Sequence, residues 1–517
     1  MDRSEHLAEE RRGAKLRSAM VGALIVFGVA LTIRLVGMYC LSQSIFWDVS
    51  LRTGTDVASF DEQAQKILKG DYLLGKQAFH QSPFYTYFLA AVYAVAGHNY
   101  AAPLLIQSVC GSLVALMLFL IGRDLIGEIG GWVAGTLGAL YQMFIFYDLI
   151  LLRSSLLVFF STGILFLAVL SKRRRGKVFW FLCGTVCGVA FLIKPTTVFF
   201  PMVLFFSMYF WSRLRGRTLV TACLLLTAGL IVAISPLIAR NLIVGVSPLD
   251  MGAIARRTFV GANVAEASGY SWDTSYEADR ILEESRGSFI ELAQRTLATH
   301  PDISSVFHLQ LRKIKALFNA YEFPNNVSVY VYREEIPFFR LPFFSYRLVA
   351  AMGAVGLLLA LLRGLAWVPV YVHFVCWIAV TLPFYILSRF RQPLVPILIL
   401  LAALAVSELT GMVRRKWWPG TALVVGATVI LVWLNAPMQS CLLRGVDVYE
   451  WARIHGHIGN YDRSAEILNQ GTDDFARAAE ERPDDYEPVL KQYHLLALTD
   501  KVGLIEIPAE TFRELET

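Results

Sequence analysis

The sequence predicts an all-α polytopic membrane protein. Three observations carry this. The chain of 517 residues is 56% hydrophobic with a mean hydropathy of +0.52, more apolar than a soluble domain requires. Long apolar stretches recur along it, each close to the roughly 20 residues that cross a bilayer. Lys and Arg collect in short blocks between those stretches, as they do on the cytoplasmic side of membrane proteins. The clearest block is Lys172-Arg173-Arg174-Arg175-Gly176-Lys177.

Taken in order, residues 1–18 form a polar segment of mixed charge expected in the cytoplasm. The run 19–41 follows without a small-residue cleavage site, so it is expected to be a signal anchor rather than a removed leader. Further spans are expected at 101–121, 130–147, 150–170, 178–194, 197–211, 218–239, 345–363, 366–388, 393–411 and 418–436, about eleven in all. Placing 172–177, Arg213, Arg215, Arg217 and Arg414-Arg415-Lys416 inside puts both ends of 82–97 outside. That segment, rich in Phe and Tyr, is therefore expected to lie in the outer leaflet as an interfacial helix. The N-terminus comes out cytoplasmic and the C-terminus extracytoplasmic. The domain organisation expected is a membrane domain over 19–436, with outer loops 42–100 and 240–344, and a helical tail over 437–517.

Composition also excludes. The net charge of +6 is spread over cytoplasmic-type loops and gives no nucleic-acid surface. Six of the seven cysteines lie in apolar segments, with Cys441 apart, so no disulfide framework is expected. Cys183 and Cys187 share a helix face without companion ligands, and no spacing demands a metal. A divalent cation bridging acids and a phosphate stays open as a cofactor. No Gly-rich phosphate loop is present, which disfavours a soluble nucleotide donor.

The residues that could carry chemistry sit at the outer ends of spans. Asp56 precedes an apolar helix face made by Phe60, Ala64, Ile67 and Leu68. It reads either as a helix N-cap or as a general base. Asp61 and Glu62 lie about a turn further on. Asp148 closes one span with Arg153 just beyond, either as a structural ion pair or as a functional acid at the bilayer boundary. Lys194, Arg240, Arg256, Arg257, Arg389 and Arg391 all fall on the expected outer side, against the usual bias. They read either as snorkelling to headgroups or as a phosphate pocket, for which the planar arginine fork is suited.

Four stretches, in this order, resemble the GT-C superfamily of membrane glycosyltransferases, most closely the dolichyl-phosphate-mannose protein mannosyltransferase and aminoarabinose transferase group. They are Asp56…Gly70-Asp71 with Phe79-His80-Gln81-Ser82-Pro83-Phe84-Tyr85, then Phe146-Tyr147-Asp148, then Pro236…Arg240-Asn241 with Gly261-Ala262-Asn263, and last Glu322-Phe323-Pro324-Asn325-Asn326 with Arg389-Phe390-Arg391-Gln392-Pro393. The resemblance implies a transferase of a sugar carried on a polyprenyl phosphate, acting on a protein, lipid or glycan acceptor at the outer face of a plasma membrane. It implies Asp56 as catalytic base with Asp148 as second acid. Arg389, Arg391 and Arg240 would hold the donor phosphate. The substrate pocket would be drawn from Asp61, Glu62, His80, Tyr85, Asn263, Glu322 and Asn325. The chain departs from the family at Val57, where a second acid is usual, at Phe60, where Tyr is usual, and at Arg153. A lipid-glycan flippase and a glycan polymerase or ligase are the alternatives; the absence of an internal repeat in the sequence weighs against a transporter.

In the tail, Gly459-Asn460-Tyr461…Ala465 and Phe475…Ala478…Pro483 resemble one irregular tetratricopeptide unit.

Overall fold

The computed structural model describes residues 3–52, 55–249, 254–270, 276–285, 289–325, 327–438, 445–460 and 462–470. Among these there are helices and turns but no strand, apart from two isolated bridges, so the all-α class expected from the sequence is borne out. Four helices, Arg17–Ser42, Ala101–Leu125, Gly216–Val244 and Ser388–Arg414, are long and apolar enough to cross a membrane, and seven shorter apolar helices accompany them.

In chain order, α1 (Arg3–Ser42) contains the first apolar run, α2 (Asp56–Leu68) begins at Asp56 and α3 (Phe84–Ala96) is the aromatic segment. Then come α4 (Ala101–Leu125), α5 (Glu128–Leu140), α6 (Gln142–Asp148), α7 (Ser154–Leu170) and α8 (Lys177–Ile193). After these follow α9 (Phe200–Phe206) and α10 (Gly216–Val244). The region between α10 and the later apolar helices holds α11 (Ile254–Gly261), α12 (Tyr276–Glu284), α13 (Phe289–Leu297), α14 (Ile303–Phe318) and α15 (Val329–Glu335). The last set is α16 (Tyr346–Leu361), α17 (Val368–Thr381), the single turn α18 (Ser388–Arg391), α19 (Val395–Arg414), α20 (Trp418–Leu434) and α21 (Gly445–His457).

Three expected spans are not single helices. The stretch 130–147 breaks at Tyr141 into α5 and α6. There the Leu140 carbonyl accepts Phe344 N–H, and Gln142 N–H donates to the Phe344 carbonyl, each at 3.0 Å. Non-helical backbone among apolar helices is tolerated because protein groups satisfy it. The stretch 366–388 ends its helix at Thr381, two residues before Pro383, a residue that disfavours helix ahead of itself and lacks a donor. The stretch 197–211 passes from a 3-10 turn beginning at Pro195 through α9 to a π turn.

Contacts divide the chain into two units. The first comprises Met1–Met38, Phe60–Phe323 and Phe343–Ala436. Within it small residues bring helices close: a Cβ on Gly184 of α8 would stand 1.9 Å from the Leu226 carbonyl of α10, and one on Gly356 of α16 would stand 1.8 Å from the Leu401 carbonyl of α19. Such close approach is the usual basis of helix association in lipid. The second unit comprises Tyr39–Ser59, Pro324–Pro342 and Pro437–Thr517. Inside it, Phe46 stacks on Tyr332 with ring centroids 4.3 Å apart. Glu335, at the end of α15, accepts Trp451 Nε1–H at 2.7 Å and meets His455 Nε2 at 2.9 Å, both from α21. Of the tetratricopeptide-like stretch, Gly459, Asn460 and Ala465 are described; Tyr461 and everything from 471 on lie outside the described residues, as does Cys441.

Candidate active site

Helix α2 begins at Asp56, so this residue is the first helical residue rather than the N-cap. Thr55 takes the capping role, its hydroxyl accepting the Ala58 N–H at 3.4 Å. This removes the main structural explanation for an acid at that position. Asp56 is half-buried, and a carboxylate in the first turn is favoured by the helix dipole.

Asp61, one turn on, is committed elsewhere. It is buried and accepts Tyr93 Oη–H at 2.7 Å and Gln65 Nε2–H at 2.8 Å, and it pairs with His98 Nε2 at 2.9 Å. It therefore clips α2 to α3 and the segment after it. Glu62 is exposed, as is His80. Tyr85 is fully buried, donates to Gln107 Oε1 at 2.5 Å and meets Phe60 edge-on. It belongs to the core of this region and does not line an accessible pocket.

Asp148 is buried at the end of α6. Its carboxylate faces Arg34 Nε at 2.7 Å and accepts Ser155 Oγ–H. The expected Asp148–Arg153 pair is replaced by this one. Both groups are nearly inaccessible, and each offsets the other's desolvation. The pair needs space: a Cβ on Gly111 of α4 would fall 1.9 Å from Asp148 Oδ2 and 2.8 Å from Arg34 Nε. Gln107, also on α4, donates to the carbonyls of Asp148 and Ile150 at 3.1 and 2.8 Å, satisfying the backbone where α6 ends. A small cavity next to this pair is lined by Gly111, Val114, Phe144, Tyr147, Asp148, Ser155, Val158 and Gln392.

The arginines separate sharply. Arg391 is fully buried, pairs with Glu322 at 2.8 Å, donates to the carbonyls of Asn319 and Tyr321, and lies over the Tyr346 ring at 3.7 Å. Ser388 also donates to Glu322. Arg391 and Glu322 are thus framework, joining α18 to the segment after α14. Arg240 donates to the carbonyls of Leu73 and Gly75 and covers the Phe79 ring at 4.0 Å, holding the first outer loop. Arg257 pairs with Asp279, and Arg256 donates to the Ser285 carbonyl. Asn263 is buried, donating to the carbonyls of Phe259 and Pro383 and accepting Lys313 Nζ–H at 2.8 Å. In the second unit Asn325 is half-buried and bridges to Val327.

Three half-buried cations remain and converge. Lys194, between α8 and the turn that follows, places Nζ 3.5 Å from the centroid of the Phe390 ring. Arg389 lies 5.0 Å from the same centroid. The charges of Arg153 and Arg389 both act on Lys194. Arg153, at the N-terminus of α7, also lies 6.0 Å from the Phe60 ring, on the α2 turn following Asp56. Among the described residues no carboxylate pairs with Lys194. Like charges in a half-buried site repel one another. Among the described residues no group of three or more His, Cys, Asp or Glu gathers as a metal site.

Sequence reading missed Arg34, Gln107 and His98. Arg34 had a signal, a single cation inside an otherwise apolar span. Gln107 and His98 had none until the fold brought their partners to them.

Residues 80–239 match the dolichyl-phosphate-mannose-protein mannosyltransferase family. This covers less than half of the chain but includes Asp148, Arg153 and Lys194, and it bears out the resemblance to GT-C membrane glycosyltransferases. No curated protein matches the chain. Among solved structures, the Archaeoglobus fulgidus oligosaccharyltransferase tethered to an acceptor peptide with the NVT sequon aligns at 14% identity and a TM-score of 0.45, over 86% of this chain and 58% of that one. The same protein in complex with Zn and sulfate aligns at 14% identity and a TM-score of 0.42, over 83% and 55%. This chain therefore spans less than two thirds of that protein's length.

Proposed function

We propose that this chain transfers a sugar from a polyprenyl-phosphate donor to a hydroxyl of a protein, lipid or glycan acceptor on the outer face of a plasma membrane. The observation that carries this reading is the convergence of Arg153, Lys194 and Arg389 inside a chain whose segment 80–239 matches a polyprenyl-sugar transferase family. The three cations hold the donor phosphate and neutralise the charge that grows on it as the glycosidic bond breaks. The isoprenoid tail runs in the lipid beside them. Asp56 takes the proton of the attacking acceptor group. The anomeric carbon passes through an oxocarbenium-like transition state, and attack opposite the leaving phosphate inverts it. Relative to the expectation from sequence, the phosphate ligands change: Arg389 is retained, Lys194 and Arg153 join it, and Arg391 and Arg240 become framework.

The test uses the purified chain in lipid nanodiscs with a panel of radiolabelled polyprenyl-phosphate sugars and of protein, lipid and glycan acceptors. Wild type is expected to release polyprenyl phosphate. Asp56→Asn is expected to bind donor with unchanged affinity while turnover falls by roughly 10²–10⁴-fold, the usual contribution of a positioned base. Full turnover by Asp56→Asn contradicts the assignment of the base. Movement of lipid-linked sugar across the bilayer with no bond cleavage would replace the transferase with a flippase.

A further inference from the structure

Helix α14 carries an apolar stripe that is left exposed among the described residues. Its buried side is ordinary: Leu309 joins the cluster of Val260, Val264 and Leu292, and Ala316 and Leu317 are inaccessible. On another side, Ile303, Phe307, Leu311 and Ile314 are 88, 61, 44 and 38% exposed. Their spacing places them within an arc of roughly 80° at 100° per residue. Next to that arc, on the side away from the buried face, stand His308, Arg312 and Lys315, all exposed. The helix contains no acidic residue, and neither Arg312 nor Lys315 has a carboxylate partner among the described residues.

The helix is also fixed at the level of span ends. Lys313 donates to the Leu382 carbonyl, just beyond the end of α17, at 3.0 Å. The Asn319 and Tyr321 carbonyls, immediately after α14, are held by Arg391 at the head of the span Ser388–Arg414. An apolar stripe bordered by cations, tied to the ends of two apolar helices, has the composition of a helix lying in a bilayer interface. We propose that α14 rests in the outer leaflet, with Ile303, Phe307, Leu311 and Ile314 in the acyl boundary and Arg312 and Lys315 on anionic lipid headgroups. The outer region 254–318 would then be seated on lipid, and its order would depend on the anionic lipid around it.

The full chain is reconstituted in nanodiscs of phosphatidylcholine alone or with phosphatidylglycerol, with or without bromine in the acyl chains. An environment-sensitive thiol fluorophore is placed at Phe307→Cys or at Arg312→Cys, and the unsubstituted chain sets the cysteine background. The probe at 307 is expected to shift to shorter wavelength and lose intensity to brominated chains, while that at 312 does neither. Hydrogen exchange over 303–318 is expected to slow when phosphatidylglycerol is added, and the slowing should vanish in Arg312→Gln/Lys315→Gln. Equal, unquenched probes at both positions overturn the proposal. A probe at 307 that is shielded from bromine while the particle mass shows two chains also overturns it, in favour of a second copy of this protein on that face.

Discussion

Arg389 and Arg391 stand two residues apart in a single helical turn, and their surroundings are opposite. Arg391 is fully buried against Glu322 and two carbonyls. Arg389 is half-buried over Phe390, in the company of two other cations. The same contrast holds between Arg34, locked on Asp148, and Arg153 at the next helix start. The position of a cation at a membrane boundary therefore does not identify a ligand site. The surroundings separate the groups: Arg34 and Arg391 each sit on a buried carboxylate, and the charges of Arg153 and Arg389 act on Lys194.

The comparison is broken most easily at Arg391. Removing one member of a buried pair leaves the other desolvated and costs about 3–5 kcal/mol. Arg391→Met is thus expected to lower the thermal stability of the purified protein strongly. Its donor affinity per folded molecule should stay near wild type. If Arg391→Met is as stable as wild type but fails to bind, Arg391 belongs with the phosphate ligands after all.

Gly111→Ala probes the other buried pair. The added methyl would collide with Asp148 and Arg34, and overpacking of this kind costs about 1–3 kcal/mol. A lower melting temperature is expected, measured by intrinsic fluorescence in detergent. Unchanged stability would mean that the pair, which joins α1 to α6, can shift away from α4 without loss.

Lys313 refines the contrast because it is a buried cation without a carboxylate. Burial pushes its ammonium down to about 7 from an ordinary value of 10.5. Between those two pH values the unfolded chain binds the extra proton and the folded one does not, so stability rises with pH across that window. Below about 7 the full cost of burying the charge is present. Hydrogen exchange over α11–α14 is expected to slow from pH 7 to pH 10 after correction for intrinsic exchange, and Lys313→Met is expected to flatten that dependence. A wild-type profile without slope would contradict the account of Lys313.

Much of the helix inventory was legible from hydropathy. The aromatic segment 82–97, expected to be a helix, is helical as α3. The breaks at Tyr141 and Thr381 were not read because the first depends on Phe344, distant in sequence, and the second on a proline inside a continuous apolar run. The candidate site was legible in residue type and only partly in role. Asp56 read either as a cap or as a base, and Thr55 takes the cap, while the hydrogen-bond partners of Asp61, Tyr85 and Asn263 were not legible. Partner identity is a property of tertiary contact, and a linear pattern does not carry it.

The most direct measurement is polyprenyl-phosphate binding by wild type, Lys194→Met, Arg389→Gln and Arg391→Met, each normalised to folded protein in detergent. Losing one charged hydrogen bond of about 1.5–3 kcal/mol should weaken binding by roughly tenfold to a hundredfold. The account predicts that loss for Lys194→Met and Arg389→Gln, with added salt weakening wild type toward them, and little change for Arg391→Met. Binding that survives both Lys194→Met and Arg389→Gln but disappears in folded Arg391→Met would contradict it.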